Sequence, residues 1–136
     1  RYSKLADFTK GQPEFASIDV SFISLKLILP PLSHILKQGG SVVALIKPQF
    51  EAGKEHVGKH GIVRDRSVHE QVINNVMKFA TENQFDVEGI DFSPIKGGQG
   101  NVEFLVHLVL TDHEGVIAPQ VDVNQVIDDA YSELNK

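Results

Sequence analysis

The hydrophobic pattern at the start of the chain predicts a strand followed by a helix. The run FASIDVSFISL is rich in β-branched and aromatic residues, which favours a strand over about 16–22. Leucine and isoleucine then recur along one stripe of residues 25–37, as they do in an amphipathic helix, and Ser24 could cap it. Pro30 and Pro31 lie inside this stripe, so we expect the helix to kink or to start late.

The next run, SVVALIK at residues 41–47, is apolar at almost every position. This pattern is typical of a strand buried on both faces by helices, so we expect it near the centre of a parallel sheet. The strand ends on Lys47, which is followed by Pro48, a residue that cannot donate a hydrogen bond to a sheet ladder. The polar stretch EAGKEHVGKHGIVRDRS comes next, and connections of that length are usually functional or disordered.

The second half of the chain predicts a helix, two strands and a final helix. Ser67 or Asp65 can cap a helix over about 68–83, where apolar residues recur at helical spacing. The runs DVEGIDFSPI and NVEFLVHLVL follow as strands, and the glycine-rich KGGQG between them suits an antiparallel hairpin. An amphipathic helix is expected over about 123–135. This order of elements predicts an α/β sheet with parallel strands and one antiparallel strand at the terminal hairpin.

Three charged residues fall at strand ends that this topology brings to one edge of the sheet. Asp19 lies near the end of the first strand, Lys47 ends the second, and Glu103 lies near the start of the last. Ligands of α/β sheets collect beyond the carboxyl ends of parallel strands, and an antiparallel strand begins at that same edge. Singly, a strand-end lysine is usually solvated and a strand-end aspartate usually belongs to a turn. The expectation of a site therefore depends on their joint placement.

Composition narrows the functional classes. The 136 residues include no cysteine, which excludes a disulfide framework and any thiolate nucleophile or metal ligand, and fits a reducing cytoplasm. The formal net charge is -5, so RNA binding would need a local basic patch. No apolar run reaches the roughly 18 residues that a membrane span requires. We therefore expect a cytoplasmic protein with no membrane partner.

Two weaker signals lie in the glycine-punctuated segments. Glu55, His56 and His60 form a candidate metal-ligand group, but Gly58 disfavours the helix that would align them, so no metal site is expected. The segment KGGQGN could cradle a phosphate or simply form a hairpin turn. The strongest basic cluster could likewise be a solvated loop or a phosphate-binding surface. It consists of Lys54, Lys59, His60, Arg64 and Arg66.

Three stretches together resemble a known family: ASIDVSFISLKLILPPL, VVALIKPQFEAGKEHVGKHGIVRD and FSPIKGGQGNVEFLVHL. They are similar to the carboxyl-terminal half of hemolysin A/TlyA-type proteins, which carry an FtsJ-like, S-adenosylmethionine-dependent RNA ribose 2′-O-methyltransferase domain. The resemblance implies a Rossmann-like methyltransferase sheet. It also implies that residues 1–112 are the carboxyl-terminal part of that domain and that 113–136 are a linker and a C-terminal helix.

The resemblance also implies a set of site residues. The family is described with a Lys-Asp-Lys-Glu tetrad, in which the aspartate matches Asp19, the second lysine Lys47 and the glutamate Glu103. The first lysine has no counterpart in this sequence, nor does the glycine-rich strand and turn that usually binds S-adenosylmethionine. The implied cofactor contacts are therefore Asp19 and Val20. The implied RNA contacts are Lys54, Lys59, Arg64 and Lys96.

The function implied by the resemblance is that of part of a ribosomal RNA ribose 2′-O-methyltransferase, with ribosomal RNA or a ribosomal subunit as partner. Lys47, held by Asp19 and Glu103, would orient the ribose hydroxyl and accept its proton. Two alternatives stay open: a non-enzymatic hemolysin-like binding protein, and an inert fragment without the cofactor-binding half. The sequence argues against pore formation, because it contains no membrane segment and no strongly cationic amphipathic helix.

Overall fold

A computed structural model of the chain describes residues 12–20, 23–53, 57–58, 61–97 and 100–134. Its strands are β1 (Phe15–Ile18), β2 (Ser41–Ile46), β3 (Phe85–Phe92) and β4 (Phe104–Leu110). A 3₁₀ turn spans Leu25–Leu27, and the helices are α1 (Leu29–Ile35), α2 (Pro48–Glu51), α3 (Arg66–Glu82) and α4 (Val123–Leu134).

The four strands form one sheet in the order β1-β2-β4-β3. β1 pairs in parallel with β2, whereas β4 runs antiparallel to both of its neighbours, β2 and β3. Helices connect β1 to β2 and β2 to β3, and these three strands run in the same direction. β4 follows β3 through a hairpin and therefore runs in the opposite direction. This confirms the predicted α/β sheet with one antiparallel strand.

The first helical region begins at a capped turn and is divided just before its prolines. The Ser24 side chain accepts a hydrogen bond from the backbone N–H of Lys26 at 3.0 Å. The 3₁₀ turn then precedes α1, and Pro30 and Pro31 lie in the first turn of that helix, where a backbone N–H has no helical acceptor. The predicted cap and late start are therefore confirmed.

One predicted boundary was wrong, and one short helix was not predicted. β1 ends at Ile18 rather than at residue 22; Asp19 and Val20 follow it outside the strand, and residues 21–22 lie outside the described ranges. No element was predicted directly after Lys47, where the structure has helix α2, with proline at its start. Proline favours that position because its fixed φ matches the helix.

The expectation that β2 is buried on both faces was also wrong. Val42, Ala44 and Ile46 are fully buried in the core, whereas Val43 and Leu45, which point to the other face, are only half-buried. The core side is closed by residues of α1, α3 and α4, which pack with the buried strand residues in one cluster. An apolar sequence shows which residues can be buried, but the surrounding elements decide which are.

A β-bulge in β3 keeps the strand's apolar residues on the core side up to the hairpin. The pairing shifts between Val87 and Gly89, and beyond this point Ile90 and Phe92 pack against the core. The strand thereby delivers Ser93 to the hairpin, where its backbone N–H donates to the carbonyl of Glu103 at 2.8 Å. This bond closes the hairpin at the edge where the candidate site lies.

Asn101 joins the hairpin to the loop before α3. The side chain is 1% exposed; its oxygen accepts from the backbone N–H of Val63 at 2.9 Å, and its nitrogen donates to the carbonyl of Gly61 at 2.8 Å. Backbone groups in buried segments need such partners, because an unsatisfied one is costly. Asn101 is therefore the link that holds two loops together.

We predict that Asn101→Ala lowers the free energy of unfolding of the chain by about 1–3 kcal/mol, because the buried Val63 N–H loses its acceptor. Urea unfolding monitored by circular dichroism measures the change. Asn74→Ala, on the exposed face of α3, is the matched control and should stay within about 0.5 kcal/mol of the parent. Equal stability of the two variants would show that the loops do not depend on Asn101.

Candidate functional site

The ends of β1 and β2 bring an aspartate and a lysine into contact. The strands run in parallel, so Asp19, just after β1, and Lys47, just after β2, emerge at the same edge of the sheet. Lys47 Nζ lies 2.6 Å from Asp19 Oδ1. The lysine side chain is only 12% exposed, whereas that of Asp19 is 65% exposed. The ion pair therefore holds a largely buried amino group at a position that solvent and ligands reach from the aspartate side.

The antiparallel strand brings Glu103 to this edge. Ile46 of β2 is paired with Phe104 of β4, so Lys47, one residue later, and Glu103, one residue earlier, leave the sheet side by side. Glu103 is buried, with 6% of its surface exposed. The structure thus places the three predicted residues at one edge of the sheet, with Asp19 and Lys47 in direct contact.

A glycine and an amide hold the buried carboxylate of Glu103. Gln49 Nε2 donates to Glu103 Oε2 at 3.0 Å. A Cβ atom placed on Gly97 would lie 1.8 Å from the same oxygen, so only glycine leaves room for the carboxylate. The N–H of Gly97 donates within the turn to the carbonyl of Asn101, and the N–H of Gly100 donates to the carbonyl of Gly97. These bonds favour the hairpin explanation of the described glycines in KGGQG over the phosphate cradle.

Gln49 is a site residue that sequence reasoning missed. It lies in α2, the helical turn that Pro48 begins directly after Lys47. Its Oε1 atom is buried and accepts no hydrogen bond within the described part of the chain. Its position in the sequence could have indicated a site residue, since Gln49 lies two residues after a strand-end lysine. It also lies in a turn that begins with proline, and such a turn folds back over the edge of the sheet.

Glu51 was also missed, and it fixes α2 to the segment that follows β1. Its carboxylate accepts hydrogen bonds from the Ser24 hydroxyl at 2.7 Å and from the backbone N–H of Leu25 at 2.8 Å. Burial raises the pKa of Glu51, and the two hydrogen bonds, which favour the ionised form, oppose that rise. Glu51 therefore supports the 3₁₀ turn and, through it, the position of α2.

The predicted RNA-binding residues are only partly described. Lys54 and Lys59 lie outside the described residues, as do Glu55, His56 and His60. Arg64 and Lys96 are exposed and line the same pocket, whose volume is about 430 Å³. Arg66, a member of the basic cluster in the sequence, instead joins α3 to α4, because it donates to Asp128 Oδ1 at 2.6 Å. It also donates within α3 to Glu70 Oε1 at 3.2 Å.

The predicted cofactor contacts, Asp19 and Val20, border a groove of about 420 Å³ between β1 and α1. Val20 is half-buried against the core, and the remaining lining is mostly apolar. Asp19 is the one charged side chain among the described residues of the groove, and it is paired with Lys47. A cofactor that carries an adenosine and an amino acid needs several placed polar groups. The groove therefore does not by itself supply the polar contacts that the adenosine and the amino acid of S-adenosylmethionine need.

The family comparison defines the class of protein to which this mixed α/β sheet belongs, an FtsJ-like methyltransferase fold. The family model described as FtsJ-like methyltransferase matches residues 2–110. The chain belongs to the FtsJ-like methyltransferase family, in the group that contains hemolysin A and TlyA. This confirms the resemblance found in the sequence.

Two curated relatives and a solved structure show the extent of the similarity. YqxC, a candidate rRNA methyltransferase of Bacillus subtilis (strain 168), is 50% identical over 138 residues, which cover 100% of this chain and 49% of YqxC. The 16S/23S rRNA (cytidine-2′-O)-methyltransferase TlyA of Mycobacterium tuberculosis (strain ATCC 25618 / H37Rv) is 37% identical over 98 residues, 72% of this chain and 37% of TlyA. The structure of a candidate hemolysin from Streptococcus thermophilus matches with a TM-score of 0.89 at 55% identity, covering 96% of this chain and 46% of that chain. The chain thus spans about half the length of YqxC, and less of TlyA.

Within the described ranges, no helix is long and apolar enough to cross a membrane.

The contact between Gly97 and Glu103 generates a prediction for stability. We expect Gly97→Ala to lower the free energy of unfolding by about 0.5–3 kcal/mol, because the new methyl group displaces a buried carboxylate from its hydrogen bond with Gln49. Urea unfolding of the chain measures the loss. Gly89→Ala is the matched control, since a Cβ at Gly89 meets no atom within 4 Å among the described residues.

A double-mutant cycle isolates the steric cause of this loss. In a Glu103→Ala background the carboxylate is absent, so Gly97→Ala should cost less than it does in the parent, with a coupling of about 0.5–3 kcal/mol. An equal cost in both backgrounds would contradict the prediction and would assign the glycine requirement to the backbone of the turn.

Proposed function

We propose that this chain is the carboxyl-terminal part of the catalytic domain of an S-adenosylmethionine-dependent ribosomal RNA ribose 2′-O-methyltransferase. The observation that carries the proposal is the buried amino group of Lys47, held 2.6 Å from Asp19 at the sheet edge where Glu103 also lies. Family membership supports methyl transfer, and the names of YqxC and TlyA support ribosomal RNA as the substrate.

The proposed chemistry begins with the target hydroxyl. A ribose 2′-hydroxyl reacts slowly unless its oxygen is aligned with the carbon of the methyl group and loses its proton. Bound S-adenosylmethionine supplies an electrophilic methyl group on its sulfonium. In the proposal, Lys47 in its neutral amine form would accept a hydrogen bond from the hydroxyl, fix its direction and take its proton, while the methyl carbon would pass from the sulfonium sulfur to the hydroxyl oxygen.

Two carboxylates would position Lys47 and stabilise the ammonium ion that it becomes once it has taken the proton. Asp19 holds the amino group directly, so the lysine is ordered before the substrate arrives. Glu103 adds a second negative charge at the same edge, and its own position is set by Gln49 and by the room that Gly97 leaves. An arginine would suit the site less well, because its guanidinium does not release its proton in proteins.

Other parts of the proposed activity depend on the longer protein. Asp19 and Val20 would meet the reactive end of the cofactor, while the glycine-rich strand and turn that usually holds the remainder has no counterpart in this sequence. We propose residues 1–112 as the carboxyl-terminal part of the methyltransferase domain and 113–136 as a linker followed by a helix. The proposed partner is ribosomal RNA or a ribosomal subunit, in the cytoplasm.

We predict that, in the longer protein that contains this chain, Lys47→Ala lowers the rate of methyl transfer by about 10²–10⁴ or more, as losing a general base does. RNA and cofactor affinities should change little, because the interaction is used in the transition state. Lys47→Arg should restore little activity. Single-turnover transfer of a labelled methyl group to ribosomal RNA, measured beside both affinities, gives the result.

Lys37→Ala is the control for this substitution. Lys37 is also paired with a carboxylate, Glu14 at 3.2 Å, but it lies at the opposite edge of the sheet, just before β2. Its variant should transfer methyl groups at the parental rate. Parental activity of Lys47→Ala would make Lys47 a scaffold residue and would remove the proposed mechanism.

A second prediction concerns the 136-residue chain alone. We expect it to bind S-adenosylmethionine weakly or not at all, because the groove at Asp19 and Val20 does not by itself supply the polar contacts that the cofactor needs. Isothermal titration calorimetry on the chain, with the longer protein as the positive control, measures the affinity. Equal affinities for the two proteins would mean that the cofactor site has been placed wrongly.

A further inference from the structure

The hairpin turn that carries Glu103 also walls a second cavity, on the side of α3 and α4. This cavity, the α3/α4 pocket, has a volume of about 430 Å³, within the range of about 300–1,000 Å³ typical of small-molecule sites. The pocket-lining residues considered below come from the loop before α3, from the two helices and from the hairpin: Val63, Arg64, His69, Lys96, Val102 and Tyr131.

Two cations line the α3/α4 pocket, and the acidic residues Asp65 and Glu70 lie near Tyr131 at its wall. Arg64 and Lys96 are exposed and are its two formally charged lining residues in the described part of the chain. They stand out in a protein whose formal net charge is -5. Two cations at one cavity favour an anionic ligand, and phosphate is the anion that arginine and lysine bind most readily in nucleic acids.

Buried hydrogen bonds fix the floor of the pocket. His69 is 2% exposed, and its Nε2 lies 3.1 Å from the carbonyl oxygen of Val63, which can only accept a hydrogen bond. Nε2 therefore carries the proton, and Nδ1 accepts the hydrogen bond of the Tyr131 hydroxyl. Burial lowers the pKa of His69, which favours this neutral form. The tyrosine ring lies edge-on to the imidazole, with the two ring centroids 5.7 Å apart, and this contact holds it as an aromatic wall of the pocket.

Asn101 fixes the two cations relative to each other. Arg64 follows Val63, whose N–H donates a hydrogen bond to the side-chain oxygen of Asn101. Lys96 precedes Gly97, whose N–H donates to the backbone carbonyl of Asn101. Two residues far apart in the sequence are thus carried on backbone segments joined through one buried residue. A site arranged before its ligand arrives loses less entropy on binding.

The α3/α4 pocket adjoins the proposed catalytic edge. Val102 lines the pocket, and the next residue is Glu103; Lys96 lines it too, and the next residue is Gly97, which lies against the Glu103 carboxylate. The same hairpin turn therefore has one side on the pocket and one side on the reactive edge.

We propose that the α3/α4 pocket binds a phosphate-bearing nucleotide of the RNA substrate beside the nucleotide whose ribose lies at Lys47, with Arg64 and Lys96 as its phosphate contacts. The inference rests on the proposed function, because an RNA chain is what places a second nucleotide next to the reactive one. It assigns the pocket to substrate positioning and leaves the methyl transfer step to Lys47.

The test is a salt titration of RNA binding by the longer protein. A fluorescein-labelled single-stranded oligoribonucleotide is titrated at several salt concentrations, with fluorescence anisotropy as the readout. The double variant Arg64→Ala/Lys96→Ala should bind at least several-fold more weakly at low salt. Its plot of log affinity against log salt should be shallower by about 1.4, at about 0.7 for each lost phosphate contact to a single strand.

The matched control is Lys37→Ala/Lys78→Ala, which removes the same charge at two exposed lysines outside the pocket. We expect it to keep the parental salt slope. An equal change in both double variants would show that binding follows net charge, and an unchanged slope in both would show that the pocket holds no phosphate; either result overturns the proposal. Circular dichroism and urea unfolding verify that both double variants are folded.

Two further arms separate the possible failures. Adenosine 5′-monophosphate that binds the parent but not the Arg64→Ala/Lys96→Ala variant, while the oligoribonucleotide binds both equally, would assign the pocket to a free nucleotide and overturn the proposal. If that variant binds RNA normally while Lys47→Ala is inactive, the pocket assignment fails and the proposed function stands. If Lys47→Ala is fully active, the proposed function itself fails.

Discussion

The helical turn that follows β2 is the constraint on which the rest of the site depends. Lys47, which immediately precedes the turn, contacts Asp19 after β1. Within the turn, Gln49 donates to Glu103 before β4, and Glu51 accepts from the 3₁₀ turn. Because proline starts the turn immediately at the end of the strand, these residues leave the sheet edge in different directions. One four-residue helix thus ties together the elements that form the proposed active edge.

The hairpin between β3 and β4 has a comparable double role. On one side, Gly97 leaves room for the buried carboxylate of Glu103, which would otherwise be pushed out of its hydrogen bond with Gln49. On the other side, Lys96 and Val102 line the α3/α4 pocket. A charged group is costly to bury without partners. Both the position of Glu103 and the lining of the α3/α4 pocket therefore depend on the conformation of this short glycine-rich turn.

Much of the fold follows from local sequence pattern. Apart from the short helix α2, the helices, the strands and the single antiparallel strand could be predicted, because each reflects apolar spacing, a cap or a glycine turn within a few residues, as with Ser24 and Pro30. The errors concerned what surrounds an element. Val43 and Leu45 are as apolar as their neighbours in β2, yet they are only half-buried. The described helices pack on the opposite face of the sheet, which carries Val42, Ala44 and Ile46.

For the site, the sequence by itself determined that Asp19, Lys47 and Glu103 stand at strand ends, since strand direction and topology bring such positions to one edge. Tertiary structure alone decided that Gln49 reaches Glu103 across 54 residues and that Gly97 lies against that carboxylate. It also directed Arg64 and Lys96 to one pocket, and it turned Arg66 away from the basic cluster toward Asp128. The physical reason is that these contacts depend on how whole elements pack. The spacing of residues within one segment does not determine which distant segment packs against it.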